Sequence, residues 1–170
     1  MRLFDMRAFH TAVDEQRRVR GLSWAEVAAE INRCFEGTSS IPISPATIRD
    51  MLKKRSVTSA VVLQVLRWLD RSPESFLSGT ASLPDIQEKL PHAEPHEILR
   101  FDTRMLYEAL DEERRRRGLT WEETAAALPG FTKSMLVNLA TGPFIGFPRV
   151  MVIPQWLEVP AGRFVRRRSR

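Results

Sequence analysis

Apolar side chains recur at helical spacing along this chain, in short segments separated by polar or proline-containing stretches. In the first segment, Phe9, Ala12 and Val13 form an apolar stripe, which predicts a helix over residues 4–20. The next segment opens with the sequence SWAE at residues 23–26. This is the form of a capping box, in which the serine side chain and the glutamate side chain each accept the other residue's backbone N–H. A second helix is therefore predicted to begin there.

Two further helical segments follow in the first half of the chain. Ser44 and Pro45 are placed as the N-cap and the first-turn residue of a third helix, whose buried face is predicted to be Ile48, Met51 and Leu52. An apolar stripe predicts a fourth helix over residues 58–70. The order of these segments is that of a small helical domain.

The sequence of the first two predicted helices occurs twice in the chain. Residues 4–31 recur 97 positions later as residues 101–128, with 15 identities in 28 gap-free positions. A repeat of this length with only two copies indicates two tandem domains. The predicted organisation is a first domain over 1–77 with a long turn insertion at 32–43, a linker at 78–100, a second domain over 101–165 and a basic tail at 166–170.

The two copies differ after their second helix. In the second copy a short connection leads to Thr132, which is predicted to cap the third helix. The equivalent stretch of the first copy is nine residues longer, and this surplus is its loop. Pro154 lies inside the counterpart of helix four, so a kink or a shortening is expected there.

Charge narrows the class of partner. The net charge is +5 and the pI is about 10.1. Residues 1–77 carry 12 basic and 9 acidic groups, residues 101–170 carry 12 and 8, and the linker carries 2 and 4. Basic copies joined by an acidic linker are expected of a protein whose two repeats approach phosphates.

The sequence gives little support to other classes. It has no apolar run of about 20 residues and no apolar signal core at its N-terminus, and its single cysteine, Cys34, suits a reducing compartment. A cytoplasmic protein is predicted. No nucleophile–base pair or phosphate-cradling loop is present, so no enzyme activity, cofactor or small-molecule substrate is expected. His92 and His96 with nearby carboxylates are a weak metal signal, and no metal site is predicted.

Two helices joined at a sharp turn form the plan of a helix-turn-helix unit. Residues 118–125 and 132–142, with their first-copy counterparts 21–28 and 44–54, resemble the helix-turn-helix domain of the phage Cro and repressor type. The resemblance covers about 140 of the 170 residues. It implies an all-α fold of two four- to five-helix domains, in which the third helix of each enters the DNA major groove.

The resemblance also implies which residues read DNA. In the second copy these are Lys133, Ser134 and Asn138, at the start of the third helix capped by Thr132. Asparagine suits adenine and lysine suits guanine. The same positions of the first copy carry a proline, an alanine and an aspartate, which is a poor set for reading bases. Neighbouring residues are expected to substitute for them: Thr47, Arg49, Lys53 and Lys54.

Arginines near the end of each first helix have two readings. One is contact with DNA phosphates, and the other is a favourable interaction with the helix dipole. They are Arg17, Arg18 and Arg20 in the first copy and Arg114, Arg115 and Arg117 in the second. Trp24 and Trp121 replace a glutamine that is common in the resembling family near a phosphate, and they are expected to pack between helices.

The function predicted from the sequence is specific binding of double-stranded DNA by a bacterial or phage transcription regulator. Two linked modules would occupy two half-sites about 34 Å apart. The alternative is a protein-interaction adaptor built from helix-turn-helix folds that bind no DNA. A homodimer or a protein partner is compatible with both, and no membrane partner is expected.

Overall fold

The computed structural model describes residues 1–79, 88–142 and 145–169. Of these residues 55% are helical, and they include two small antiparallel sheets of two strands each, so the protein is mixed α/β. The all-α class predicted from the sequence is therefore wrong. The strands are two to four residues long, and each pairs with a segment distant in the chain. Hydrophobic periodicity reports only local structure, so it gave no sign of them.

The first copy contains four α-helices and one short strand. In chain order its elements are α1 (Met6–Val19), α2 (Trp24–Cys34), α3 (Pro45–Arg49), a 3-10 helix (Met51–Lys53), β1 (Val57–Thr58), α4 (Ser59–Leu69) and a 3-10 helix (Pro73–Phe76). The loop between α2 and α3 contains the sequence-predicted insertion. Its Ile43 backbone is held at both N–H and carbonyl by the side chain of Asn32.

The second copy repeats this order with an additional strand at each end. Its elements are β2 (Ile98–Phe101), α5 (Thr103–Arg116), α6 (Trp121–Ala127), α7 (Lys133–Val137), β3 (Gly146–Phe147), a 3-10 helix (Arg149–Met151), α8 (Val152–Leu157), a 3-10 helix (Ala161–Phe164) and β4 (Val165–Arg168). The counterpart of the eleven-residue α4 is thus a 3-10 helix followed by the six-residue α8. Pro154 lies in the first turn of α8, and the expected shortening is confirmed.

The helices begin where the sequence places their caps. Both predicted capping boxes are complete: Ser23 and Thr120 each accept the N–H of the glutamate three residues later, which accepts the cap N–H in return. Ser44 and Thr132 cap the two third helices by accepting the backbone N–H groups of Thr47 and Met135. These caps satisfy donors that a helix cannot satisfy internally.

Each copy closes by pairing its N-terminal segment with its C-terminal segment. In the first copy this is a single bridge between Phe4 and Leu77. In the second copy the bridge is extended into the β2–β4 ribbon, in which Phe101 pairs with Val165 and Ile98 pairs with Arg168. The end of the sequence-predicted linker therefore lies in β2, and Arg166–Arg168 of the predicted tail lie in β4.

The two copies meet at the β1–β3 ribbon. Val57 pairs with Phe147 and Thr58 pairs with Gly146. Both strands occupy the same place in their copies, between the third helix and the fourth. Their antiparallel pairing resembles an isologous contact, in which two copies present the same surface to each other.

One hydrophobic core continues across this junction. It contains Phe9 and Leu66 from the first copy together with Leu106 and Leu136 from the second. Phe147 of β3 packs edge-on against Phe4, with ring centroids 4.9 Å apart. The copies consequently share buried apolar area.

The linker residues near β2 also pack on the first copy. Arg67 of α4 donates hydrogen bonds to the carbonyls of Ala93, Glu94 and Glu97 at 2.6–3.1 Å. The buried amide of Gln64 donates to the Leu99 carbonyl at 2.7 Å. These bonds fix β2 against α4. No helix in the described parts of the chain is long and apolar enough to cross a membrane.

Gly146 is required by the close approach of the strands. A Cβ atom at this position would lie 2.9 Å from the Val57 carbonyl oxygen and would also collide with the Ser56 hydroxyl. We expect Gly146→Ala to destabilise the chain by about 1–3 kcal/mol, because the backbone of β1 must shift. Since the core is shared, thermal unfolding should remain a single transition at lower temperature. Ser56→Ala is the matched control and should leave that temperature unchanged; equal melting of Gly146→Ala and the unsubstituted chain would contradict the strand contact.

Glu74 is a buried carboxylate between the two copies. Its Oε1 accepts the Ala161 N–H at 2.6 Å, whereas Oε2 has no hydrogen-bond partner among the described residues. Only 6% of the residue is exposed. Burial raises the pKa of Glu74 above its ordinary value of 4.5, and the charge of Glu88 adds to the rise, while the Ala161 hydrogen bond opposes it.

A raised pKa in the folded state makes the folded chain bind the proton more tightly than the unfolded chain. Stability is therefore expected to fall as the pH rises above about 4.5 and through the raised pKa of Glu74. Glu74→Gln removes this titration. Denaturant unfolding from pH 4 to pH 8 should show a smaller decline for Glu74→Gln than for the unsubstituted chain. Parallel pH profiles would exclude Glu74 as the cause.

Candidate nucleic-acid interface

The second-copy residues predicted to read bases are exposed: Lys133 and Ser134 lie in α7, and Asn138 directly follows its last residue. Asn138 donates from Nδ2 to the Ser134 carbonyl at 2.9 Å and lies 3.4 Å from the Ser134 hydroxyl, so these two side chains share one side of the helix. Lys133 is turned to α6, where its ammonium contacts Glu122 at 2.5 Å. That contact lowers the pKa of the Glu122 carboxyl. Ser134 and Asn138 therefore present hydrogen-bonding groups, while Lys133 is paired.

A groove of about 600 Å³ runs beside this side of α7. Ser134 and Asn138 line it together with Arg55 of the first copy and Arg149 of the second. The two arginines were missed by sequence reasoning. Arg55 directly continues the basic pair of residues 53 and 54, which was the signal available for it. Its position beside α7 depends on the β1–β3 pairing.

The first-copy candidates are less suited to reading bases than those of the second copy. Thr47 is half-buried, and its hydroxyl lies 2.8 Å from that of the Ser44 cap. Arg49 is paired with its neighbour Asp50 at 2.9 Å, and this hydrogen bond lowers the pKa of Asp50 to about 2. Lys53 is exposed and lies 3.4 Å from the same carboxylate. Asp50 therefore reduces the positive charge that α3 presents.

Lys54 differs from these residues. It is exposed and forms no ion pair with a carboxylate within residues 1–79, 88–142 and 145–169. Together with Lys53 and Arg55 it forms a basic run that starts at the end of the 3-10 helix following α3. This run can approach phosphates, whereas α3 offers little for base edges.

Arg17 braces the first two helices of the first copy. Its guanidinium contacts Asp14 at 2.7 Å, donates to the Leu22 carbonyl at 3.0 Å and lies over the Trp24 ring at 4.8 Å. Trp24 also stacks on His10. The expectation that this tryptophan packs between helices is confirmed.

The second copy contains an equivalent cluster, and we call each such set of aspartate, arginine and tryptophan a brace. Arg114 contacts Asp111 at 2.7 Å, donates to the Leu119 carbonyl at 2.7 Å and lies over the Trp121 ring at 4.7 Å. Tyr107 stacks on Trp121 as His10 stacks on Trp24. Each brace joins the first helix, the turn and the second helix, so its residue types recur in both copies.

Arg20 and Arg117 tie the first helix of each copy to a tryptophan of the fourth. Arg20 forms a bidentate pair with Glu30, whose carboxylate also accepts the Trp68 indole N–H at 2.8 Å. Arg117 contacts Glu113 at 2.7 Å and lies 4.3 Å over the Trp156 ring. The hydrogen bond from Arg20 is the main cause of the lowered pKa of the Glu30 carboxyl, and the bond from Trp68 lowers it further.

Two of the six candidate phosphate contacts remain largely exposed. The side chains of Arg18 and Arg115 are 71% and 72% exposed, and each makes an ion pair with the aspartate that also holds the brace arginine. A guanidinium this exposed can exchange a carboxylate for a phosphate with little loss. Arg18 and Arg115 are thus the arginines of this set whose side chains are most accessible to an anion from outside the chain.

The two linker histidines, His92 and His96, contact different residues. His92 is 3.4 Å from Glu94, and His96 Nδ1 lies 2.7 Å from the Glu36 carbonyl. In the ranges that the structure describes, no group of three or more His, Cys, Asp or Glu residues could hold a metal ion.

Comparisons with known proteins identify no relative. No protein-family model matches the chain, and no curated protein or solved structure shows significant similarity to it.

The two arginines that share Asp111 provide a test of the brace. Arg114→Ala removes charged hydrogen bonds from a side chain that is 17% exposed, and we expect it to destabilise the chain by about 2 kcal/mol. Arg115→Ala removes an exposed ion pair and should cost less than about 0.5 kcal/mol. Denaturant unfolding measures both. A loss as large for Arg115→Ala as for Arg114→Ala would contradict the assignment of the brace to Arg114.

Proposed function

We propose that this chain is a sequence-specific, double-stranded DNA-binding protein that regulates transcription in a bacterial or phage-infected cytoplasm. The observation that carries the proposal is the groove beside α7. It combines the exposed Ser134 and Asn138 with Arg55 and Arg149. Asparagine pairs with adenine in the major groove, and arginine binds phosphate, so the groove offers both parts of DNA recognition.

The symmetry of the two copies supports the same proposal. Homodimeric helix-turn-helix proteins place two recognition helices about a two-fold axis, and their operators repeat that symmetry. Here the antiparallel β1–β3 ribbon joins equivalent segments next to α3 and α7. A single chain then supplies the two modules that a dimer supplies elsewhere. Because the modules are linked, binding of one raises the effective concentration of the other.

The two recognition helices are chemically unequal, and the proposed operator is unequal too. The α7 module contributes Ser134 and Asn138, which suit base edges. The α3 module contributes the basic run of residues 53–55, which suits phosphates. One half-site should therefore be read directly, and the other should be held mainly through the DNA backbone.

The protein-interaction adaptor remains the second candidate. The ion pairs Arg49–Asp50 and Lys133–Glu122 favour it, because each neutralises a cation on or beside a recognition helix. The two functions differ in their dependence on salt. Phosphate contacts give an affinity that falls with salt by about 0.9 log units per contact per decade. An adaptor would show no such binding to a duplex.

The experiment is selection of bound duplexes from a random pool, followed by affinity measurements on the selected and on a random duplex. We expect Asn138→Ala to relax the preference at one base pair by about 1–3 kcal/mol. Arg18→Ala is the contrasting variant and should weaken binding to both duplexes equally. A uniform loss for Asn138→Ala would exclude a base-reading role, and salt-independent or undetectable duplex binding would favour the adaptor.

A further inference from the structure

Three arginines share one face of the β2–β4 ribbon. Arg100 pairs with Arg166 across the strands, and Ile98 pairs with Arg168. Directly paired residues of an antiparallel ribbon point to the same face, and side chains two positions apart along a strand do so as well. Arg100, Arg166 and Arg168 therefore form one surface, which we name the arginine face.

This arrangement is unfavourable for folding by itself. Like charges placed directly opposite each other across two strands destabilise a sheet. Arg100 is half-buried, and burial lowers the pKa of its guanidinium, with a further decrease from the charge of Arg168. Both causes oppose the charged form, so the free protein is stabilised by neither.

Carboxylates compensate little of this charge. The nearest one to Arg166 is that of Asp102, at 3.9 Å. Arg100 and Arg168 form no ion pair with any carboxylate in the described part of the chain. The braces in α1 and α5, by contrast, have guanidinium–carboxylate distances of 2.7 Å. The arginine face keeps most of its positive potential.

The strand pairing that closes the first copy has no pair of arginines facing each other, although the guanidinium of Arg2 donates to the carbonyls of residues 77–79. The positions equivalent to Arg100 and Arg166 are Leu3 and Ser78, on either side of the Phe4–Leu77 bridge. Both copies close in the same manner. A pair of facing arginines is therefore not required for a copy to close in this way.

The arginine face adjoins the recognition helix of the first copy. Arg100 donates to the Ser40 hydroxyl of the insertion loop at 2.8 Å. A groove of about 590 Å³ contains Arg100 and Ser40 together with Ser44 and Thr47 at the start of α3. Arg100, in the first strand of the second copy, thus places a positive charge next to the module that has the weaker base-reading set.

We propose that the arginine face binds backbone phosphates of duplex DNA beside the half-site occupied by α3. This contact lies outside both helix-turn-helix units, and its partner rests on the function proposed above. It supplies affinity where α3 supplies little, since three arginines can neutralise several phosphates without reading bases. The insertion loop serves as the support that orients Arg100.

The test compares the two faces of β4. Arg166→Ala/Arg168→Ala removes two charges from the arginine face, and Arg167→Ala removes one from the opposite face, where Arg167 donates to the His92 carbonyl. Duplex affinity is measured against salt concentration for each. We expect the double variant to reduce the slope of log affinity against log salt by about 2, with equal losses on selected and random duplexes. Arg167→Ala should leave the slope unchanged.

Two further measurements separate the explanations. Arg166→Lys/Arg168→Lys keeps the charge and should retain the salt slope of the unsubstituted chain, which excludes unfolding as the cause of a loss. Shortening the duplex on the α3 side should abolish the difference in affinity between the double alanine variant and the unsubstituted chain.

If a full-length duplex binds with a salt slope that the double alanine variant leaves unaltered, the arginine face does not bind phosphates and the proposed function stands. If Arg167→Ala lowers the slope by the amount expected for one phosphate contact, net charge explains the effect and the proposal falls. If the unsubstituted chain shows no salt-dependent duplex binding, the proposed function fails, and this proposal fails with it.

Discussion

The antiparallel contact between β1 and β3 is the constraint on which the arrangement of this molecule depends. It is only two residues long in each strand, yet it brings together equivalent segments of the two copies. Phe147 then packs against Phe4, and the two apolar interiors become continuous. The relative orientation of α3 and α7 follows from this junction, because each of these two helices lies shortly before one of the paired strands.

The repeated stretch acquires a physical explanation from the braces. Asp14, Arg17 and Trp24 recur as Asp111, Arg114 and Trp121 because the same three contacts hold the first two helices of each copy. Gly21 and Gly118, which follow the first helix of each copy, recur because both adopt a φ near +65°, which other residues rarely accept. These identities preserve the framework. The residues that face outward from α3 and α7 are free of that requirement, and there the copies differ.

Charge is distributed according to the same division. Most arginines predicted to contact phosphates are satisfied inside the protein by aspartate, glutamate or tryptophan. In the described part of the chain, the cations without a carboxylate partner include Lys54, Arg55, Arg149 and Arg168. A basic composition therefore says little about where a polyanion would bind. The location is set by which guanidinium groups the fold leaves without carboxylates.

The sequence by itself determined the helices, their caps and the pairing of the two copies as repeats. These features depend on contacts within about four residues, such as those of Ser23 with Glu26 and of Thr132 with Met135. It also assigned Ser134 and Asn138 to the third helix of the second copy, where Ser134 lies in α7 and Asn138 follows its last residue, and both are exposed. Short-range spacing could not indicate strands of two to four residues, so the fold class was mistaken.

Only the tertiary structure decided how distant segments meet. Arg55 reaches the groove of α7 through pairing of strands that are 88 to 90 positions apart in the chain, and Arg100 pairs with Arg166, which is 66 positions away. Such pairs depend on the whole core, because a two-residue strand gains too little by itself to select a partner. Local chemistry therefore fixed the modules, and long-range packing fixed which of their charges lie together.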